Sequence, residues 1–195
     1  MRSREFLVIV ILIISIIIFI KLGGNDVIYV PSDIDKRSYL VRDLEDKQKA
    51  SNLLARIREN IYKLSDHLSE NKDKKEYKDY YDYINQLENG IKGMIINESS
   101  PDSTYTSYSV NKGEQIVFCL RSKRSNKLHP LNLMMYVTIH ELAHVACPEY
   151  GHTSLFKHIF TFFAKISVKI GIYEKINFNI DSKEYCGMTI TDSVI

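Results

Sequence analysis

His140, Glu141 and His144 are the residues of this chain whose types and spacing are best suited to chemistry. Side chains four apart on an α-helix lie one above the other on a single face. Two imidazoles placed that way can turn their nitrogens onto one Zn2+ ion at about 2.0–2.1 Å, leaving positions for a third protein ligand and a water. Glu141, beside the first histidine, is then placed to take a proton from a water that the metal has acidified. Without a metal the arrangement is costly, because two imidazoles and a carboxylate on an otherwise apolar helix need a partner network to satisfy them. The helix itself is expected over residues 131–147, where Leu133, Met134, Val137, Leu142 and Val145 give an apolar helical pattern around the motif.

The residues that follow offer the missing ligand. Pro148 ends the helix, and Gly151 permits a turn that returns the chain toward the metal. His152 stands at the mouth of another expected helix, residues 153–170, whose apolar face runs through Leu155, Phe156, Ile159, Phe160, Phe163, Ile166 and Ile170. His152 is the expected third ligand. Glu149 is its rival, since a carboxylate also completes a two-histidine site. Cys147 continues the face of His140 and His144, but three ligands along one straight helix would span about 10 Å, so a buried structural thiol is expected there. Tyr150 and, in the C-terminal tail, Tyr185 are candidates to donate to a developing oxyanion.

The elements that must hold these residues are read from the rest of the chain. With 195 residues, 45% of them hydrophobic, one ordinary core is the expectation. The net charge of +2 does not by itself imply nucleic acid or an anionic membrane surface. Three cysteines, Cys119, Cys147 and Cys186, are too few for a disulfide scaffold and leave the redox compartment open. Residues 6–20 are apolar except for Ser15, with Arg2 and Arg4 before them and Lys21 after. That run covers about 22 Å, short of a hydrocarbon core near 30 Å, and reaches a thin bilayer with snorkelling basic ends. A cleaved signal peptide is the rival, but Lys21 and Leu22 occupy positions where a small residue is wanted. The expectation is an uncleaved anchor over residues 1–24, touching lipid through residues 6–22. The chain would then be a single-pass membrane protein with a cytosolic N-terminus.

Residues 25–36 read as a linker, and residues 37–195 as one domain of α+β class: mainly helical, with a small antiparallel sheet. A long amphipathic helix is expected from about residue 37 to residues 69–75, through Leu40, Leu44, Leu54, Ile57, Ile61, Leu64 and Leu68. A second follows over residues 75–94, its tyrosines Tyr77, Tyr80 and Tyr81 read as a packing surface. Residues 105–110 and 115–120 are expected strands around Asn111, Lys112 and Gly113, which suit a tight turn. One edge of that hairpin could take an extended peptide by strand addition. Arg121, Lys123, Arg124 and Lys127 form a basic loop, read first as solvated and second as a nucleic-acid contact. The tail around residues 185–191 alternates like one further strand. Asn97-Glu98-Ser99 is a glycosylation sequon, a reporter of topology if it is accessible.

The stretch from Val110 through Gly113, Ile116, Leu120 and Arg121, then His140 to His144 and Gly151 to Phe156, resembles the WLM metallopeptidases, relatives of the SprT and Spartan proteases. The resemblance is specific over residues 110–156. It implies a minimal zincin core with one Zn2+ per chain held by His140, His144 and His152. It also implies Glu141 as general base, a protein or peptide substrate, and proteolysis of DNA-bound proteins as its relatives perform. The membrane run departs from that last pattern. The chain's richness in Ile, Lys, Asn and Tyr and its short anchored form are similar to predicted peptidases of large DNA viruses, whose membranes would be those of host or virion. Two other classes stand beside the enzyme: a structural membrane protein that keeps zinc only for folding, and a nucleic-acid-associated protein.

Overall fold

Leu54, Ile57, Ile61, Leu64 and Leu68 recur at three and four residues, so they share one face of helix α1 (Lys47–Asn71) and are sealed from solvent. Glu59 and Lys63 pair on its wet side. In the computed structural model, which describes residues 10–15 and 26–195, this helix starts later than its periodicity suggests. The segment before it is a hairpin of β1 (Val27–Pro31) and β2 (Ser38–Arg42), with Val27 opposite Arg42 and Pro31 opposite Ser38. Tyr39 and Val41 point inward while Leu40 is half-exposed, a period of two that the helical count through Leu40 misread. The expected linker over residues 25–36 is thus largely structured. Ser51 donates to the Val30 carbonyl, and the Asn52 side chain accepts from the Asp33 N–H, so the hairpin is bonded to α1.

Helix α2 (Tyr81–Gly90), entered through a 3-10 turn at Lys78–Tyr80, is shorter than the expected 75–94 and buries Ile84 and Leu87. The tyrosines before it pack: Tyr77 is buried, and Tyr80 stacks on Phe162 at 3.8 Å between ring centres. Strands β3 (Ile95–Glu98), β4 (Tyr108–Val110) and β5 (Gln115–Phe118) make a sheet ordered β3-β5-β4. The expected hairpin is β4 against β5, with Asn111, Lys112 and Gly113 between them all at positive φ. The third strand was not anticipated. β3 runs parallel to β5, Ile95 opposite Gln115, a pairing between segments distant in sequence. β4 is therefore an edge of the sheet and β5 its centre.

Helix α3 (Leu131–Ala146) carries the histidine motif, and helix α4 (Ser154–Lys169) packs beside it. α3 is buried nearly all round, as expected of a helix apolar on most of its surface. The tail is a hairpin of β6 (Lys183–Tyr185) and β7 (Met188–Ile190), not one strand. Cys186 and Gly187, both at positive φ, make its two-residue turn. A disulfide joins Cys119, just after β5, to Cys186, 67 residues on.

Two sequence expectations are corrected by burial. Arg121 is not on a nucleic-acid surface: its side chain is 2% exposed and pairs with Glu98 at 2.8 Å and Asp46 at 2.7 Å. Lys123, Arg124 and Lys127 are exposed, with Lys123 donating to the Ser103 carbonyl. The sequon is no reporter of topology, because Asn97 and Ser99 are buried and Asn97 lies inside β3 opposite Val117.

The membrane expectation is corrected as well. No helix among the described residues is long and apolar enough to cross a membrane, against the single-pass location read from the N-terminal run. Residues 10–15 are helical, and the long helix α1 carries a charged face. The rest of the expected anchor over residues 1–24 lies outside the described residues.

Candidate metal centre

Two local devices position the three histidines. His140 and His144 stand one turn apart on α3, which is fixed by burial of its neighbours Ile139, Leu142, Ala143 and Val145. The helix stops at Cys147, ahead of Pro148, and Gly151 at φ 81° turns the chain back. Thr153 caps α4, its hydroxyl accepting from the Phe156 N–H at 3.3 Å, and this sets His152 immediately ahead of the helix. The three Nε2 atoms then lie 3.2 Å (His140 to His144), 3.2 Å (His144 to His152) and 3.0 Å (His140 to His152) apart.

Those distances fit a metal better than a hydrogen-bonded ring. A ring nitrogen of a neutral imidazole either donates or accepts, so of three that meet at one point at least two must set like against like. Nitrogens bound tetrahedrally to zinc at about 2.0–2.1 Å sit about 3.3 Å from one another, near the spacing found. Phe156, itself buried, braces all three rings: His144 stacks on it at 4.1 Å, and His140 and His152 approach at 5.0 Å and 4.9 Å. Among the described residues these three histidines are the cluster able to hold a metal. Glu149 is exposed on the rim of the groove outside the cluster, and Cys147 is a buried free thiol.

The electrostatics suit neutral ligands and a proton acceptor. Burial, then the neighbouring His144 and His152, pushes His140 down to about 3. Burial, then His152 and the Lys112 ammonium, pushes His144 down to about 4. Both lone pairs are thus available at neutral pH. Burial alone raises Glu141 to about 7, in a side chain only 5% exposed. A carboxyl tuned near neutrality can both accept and return a proton.

The site opens into a groove of about 520 Å³. One wall is β4 with the residues before it, Thr106 to Ser109, and the other is the arm from Glu149 to His152. The four expected metal and base residues meet there, and Tyr150 lines the rim, 86% exposed. Tyr185 is buried behind the wall, its hydroxyl paired with Ser107, whose oxygen also accepts from the Cys119 N–H. It does not line the groove. Sequence reasoning missed Phe156 as a brace, Ser107, and Lys112, which was read only as a turn residue. Phe156 lies one helical turn past His152, a spacing that could have placed it against the rings. Nothing in the local pattern marks Ser107.

No family model matches the chain. Its relatives are viral. Uncharacterized protein R325 of Acanthamoeba polyphaga mimivirus is 44% identical over 184 residues, which is 94% of this chain and 92% of that protein. Protein 136R of Invertebrate iridescent virus 6 is 37% identical over 82 residues, 41% of this chain and 44% of the other. Protein 042R of Invertebrate iridescent virus 3 is 35% identical over 82 residues, 42% and 50% of the two chains. Among solved structures, Wss1 of Saccharomyces cerevisiae matches with a TM-score of 0.47 at 20% identity, over 65% of this chain and 85% of that one. A Wss1 mutant matches at 0.49 and 19%, over 68% and 91%.

Proposed function

This chain belongs to the family of the mimivirus protein R325, and from the geometry of its histidine cluster we propose that it is a WLM-like, zinc-dependent endopeptidase. The observation that carries the reading is the convergence of His140, His144 and His152 beside a buried Glu141 in an open groove. Zinc, when bound by the three imidazoles, would polarise a peptide carbonyl and acidify water. Glu141 accepts a proton from the attacking water and returns it to the leaving amine, a task that its raised pKa suits. Tyr150, a phenol on the groove rim, is assigned the oxyanion. The exposed edge of β4 is assigned to hold an extended protein or peptide substrate by backbone pairing.

The test is metal content and turnover on the full chain. One zinc per chain is expected, lost in His152→Ala and kept in Glu149→Ala. Glu141→Gln should keep zinc and lose cleavage of an unfolded protein by about 10²–10⁴-fold. A wild type that binds no zinc, or a Glu141→Gln variant that cleaves as fast as wild type, overturns the reading. Zinc without turnover on any denatured substrate would instead support a metal-stabilised structural protein.

A further inference from the structure

The arm that carries His152 has little secondary structure of its own between the end of α3 and the cap of α4, yet the third imidazole must be held to within a few tenths of an ångström. One side chain reaches across from the sheet to do this. The Lys112 ammonium donates to the Cys147 carbonyl at 2.6 Å, the His144 carbonyl at 3.3 Å and the Glu149 carbonyl at 3.4 Å, and it lies 4.6 Å from the centre of the Tyr150 ring. These partners straddle Pro148. His144 and Cys147 end the helix that bears two of the ligands, and Glu149 and Tyr150 begin the arm that bears the third.

The base of this lysine is fixed too. Lys112 sits at φ 54° between Asn111 and Gly113 in the β4–β5 turn. That turn is pressed against α2 and α3: a Cβ on Gly113 would fall 2.6 Å from the Gly90 carbonyl oxygen and 2.9 Å from Val145. A Cβ on Gly90 would meet the Lys112 oxygen at 2.5 Å. The lysine therefore projects from a braced turn, and a cation at a helix C-terminus is favoured by the orphan carbonyls it meets.

We propose that Lys112 is a positioning residue of the metal centre, tying the end of α3 to the His152 arm so that the third imidazole is preset for the ion. The inference rests on the reading of the three histidines as a metal site. Groups that orient metal ligands commonly govern affinity by about 10–100-fold.

The experiment uses the full chain stripped of metal, with zinc affinity measured by chelator competition and the visible spectrum recorded after loading with cobalt. Lys112→Met is expected to weaken zinc by about 10–100-fold and to change the cobalt spectrum as the third nitrogen is held less firmly. A variant that melts lower without metal, yet binds zinc as tightly as wild type with the same cobalt spectrum, overturns the proposal and leaves Lys112 a helix cap. If Lys112→Met does not fold, Lys112→Gln, which keeps a donor without the charge, is judged by the same two readings. Wild-type protein that takes up no zinc overturns the metal-site reading and this inference with it. Wild-type affinity in the variants overturns this inference alone.

Discussion

Two clusters of polar side chains are completed differently: the one around Arg121 and Glu98 is buried, while the other runs from buried Glu141 through half-buried His140 and His144 to exposed His152. Around Arg121, the Glu98 carboxylate accepts from the guanidinium and from the Arg42 N–H, and Asp46 takes a further guanidinium donor. Donors and acceptors there are matched inside the chain, apart from one guanidinium nitrogen that has no partner among the described residues. Around His140 the nitrogens of three histidines converge on one point instead, two of them held low by burial, beside a Glu141 that burial alone raises with no cation against it. Buried charge that closes on itself ties elements together, here α1, β3 and the loop after β5. Ligand nitrogens that converge on a point suit a metal ion from outside the chain.

The largest expected effect is the loss of turnover in Glu141→Gln described above. Its counterpart in the other cluster is a loss of stability. Arg121→Met leaves Glu98 buried and uncompensated and should cost about 3–5 kcal/mol in denaturant unfolding, while zinc content per folded chain stays unchanged. Zinc lost in proportion would show that the two clusters are not independent.

Next in size is the disulfide. Breaking a closure of 67 residues removes up to about 4 kcal/mol by chain entropy, so Cys186→Ser or reduction should lower the melting temperature clearly. Cys147→Ser should leave the melting temperature of reduced and oxidised protein equally separated, since that thiol is free and buried.

The smallest effect is with pH. In metal-free protein, His140 and His144 are held below their unfolded value of 6.5, so the unfolded chain takes up two protons that the folded chain refuses as pH falls from about 6.5 to 4. Glu141, held above its unfolded value of 4.5, opposes this: it favours the folded state at low pH and loses that contribution as pH rises through about 7. Two protons against one leave a net loss on acidification. Thermal melts of wild type and a His140→Ala/His144→Ala double variant should therefore converge or cross as pH falls from 6.5 to 4. Parallel curves would mean that the imidazoles are not buried as described.

The motif on α3, the turn before α4, and the β4–β5 hairpin were legible because each is local: a period, a proline, a left-handed turn. The hairpin before α1 was misread because Leu40 fits a helical count and a strand alternation equally well until the neighbouring surface is known. Arg121 looked solvated for the same reason. A charge run announces its composition, but the two acids that neutralise this arginine come from residues 46 and 98.

What the sequence by itself determined is chemical identity and local geometry: two histidines on one helical face, a glutamate between them, and a third histidine at a helix mouth after Pro148 and Gly151. What only the tertiary structure decided is which distant groups meet. It chose His152 over Glu149 and Cys147 for the cluster, ran β3 parallel to β5, paired Cys119 with Cys186, and carried Lys112 across to the end of α3. Periodicity and capping act over a few residues and are written in order along the chain. Contacts between segments 35 or 67 residues apart depend on how whole faces pack, and no local pattern encodes them.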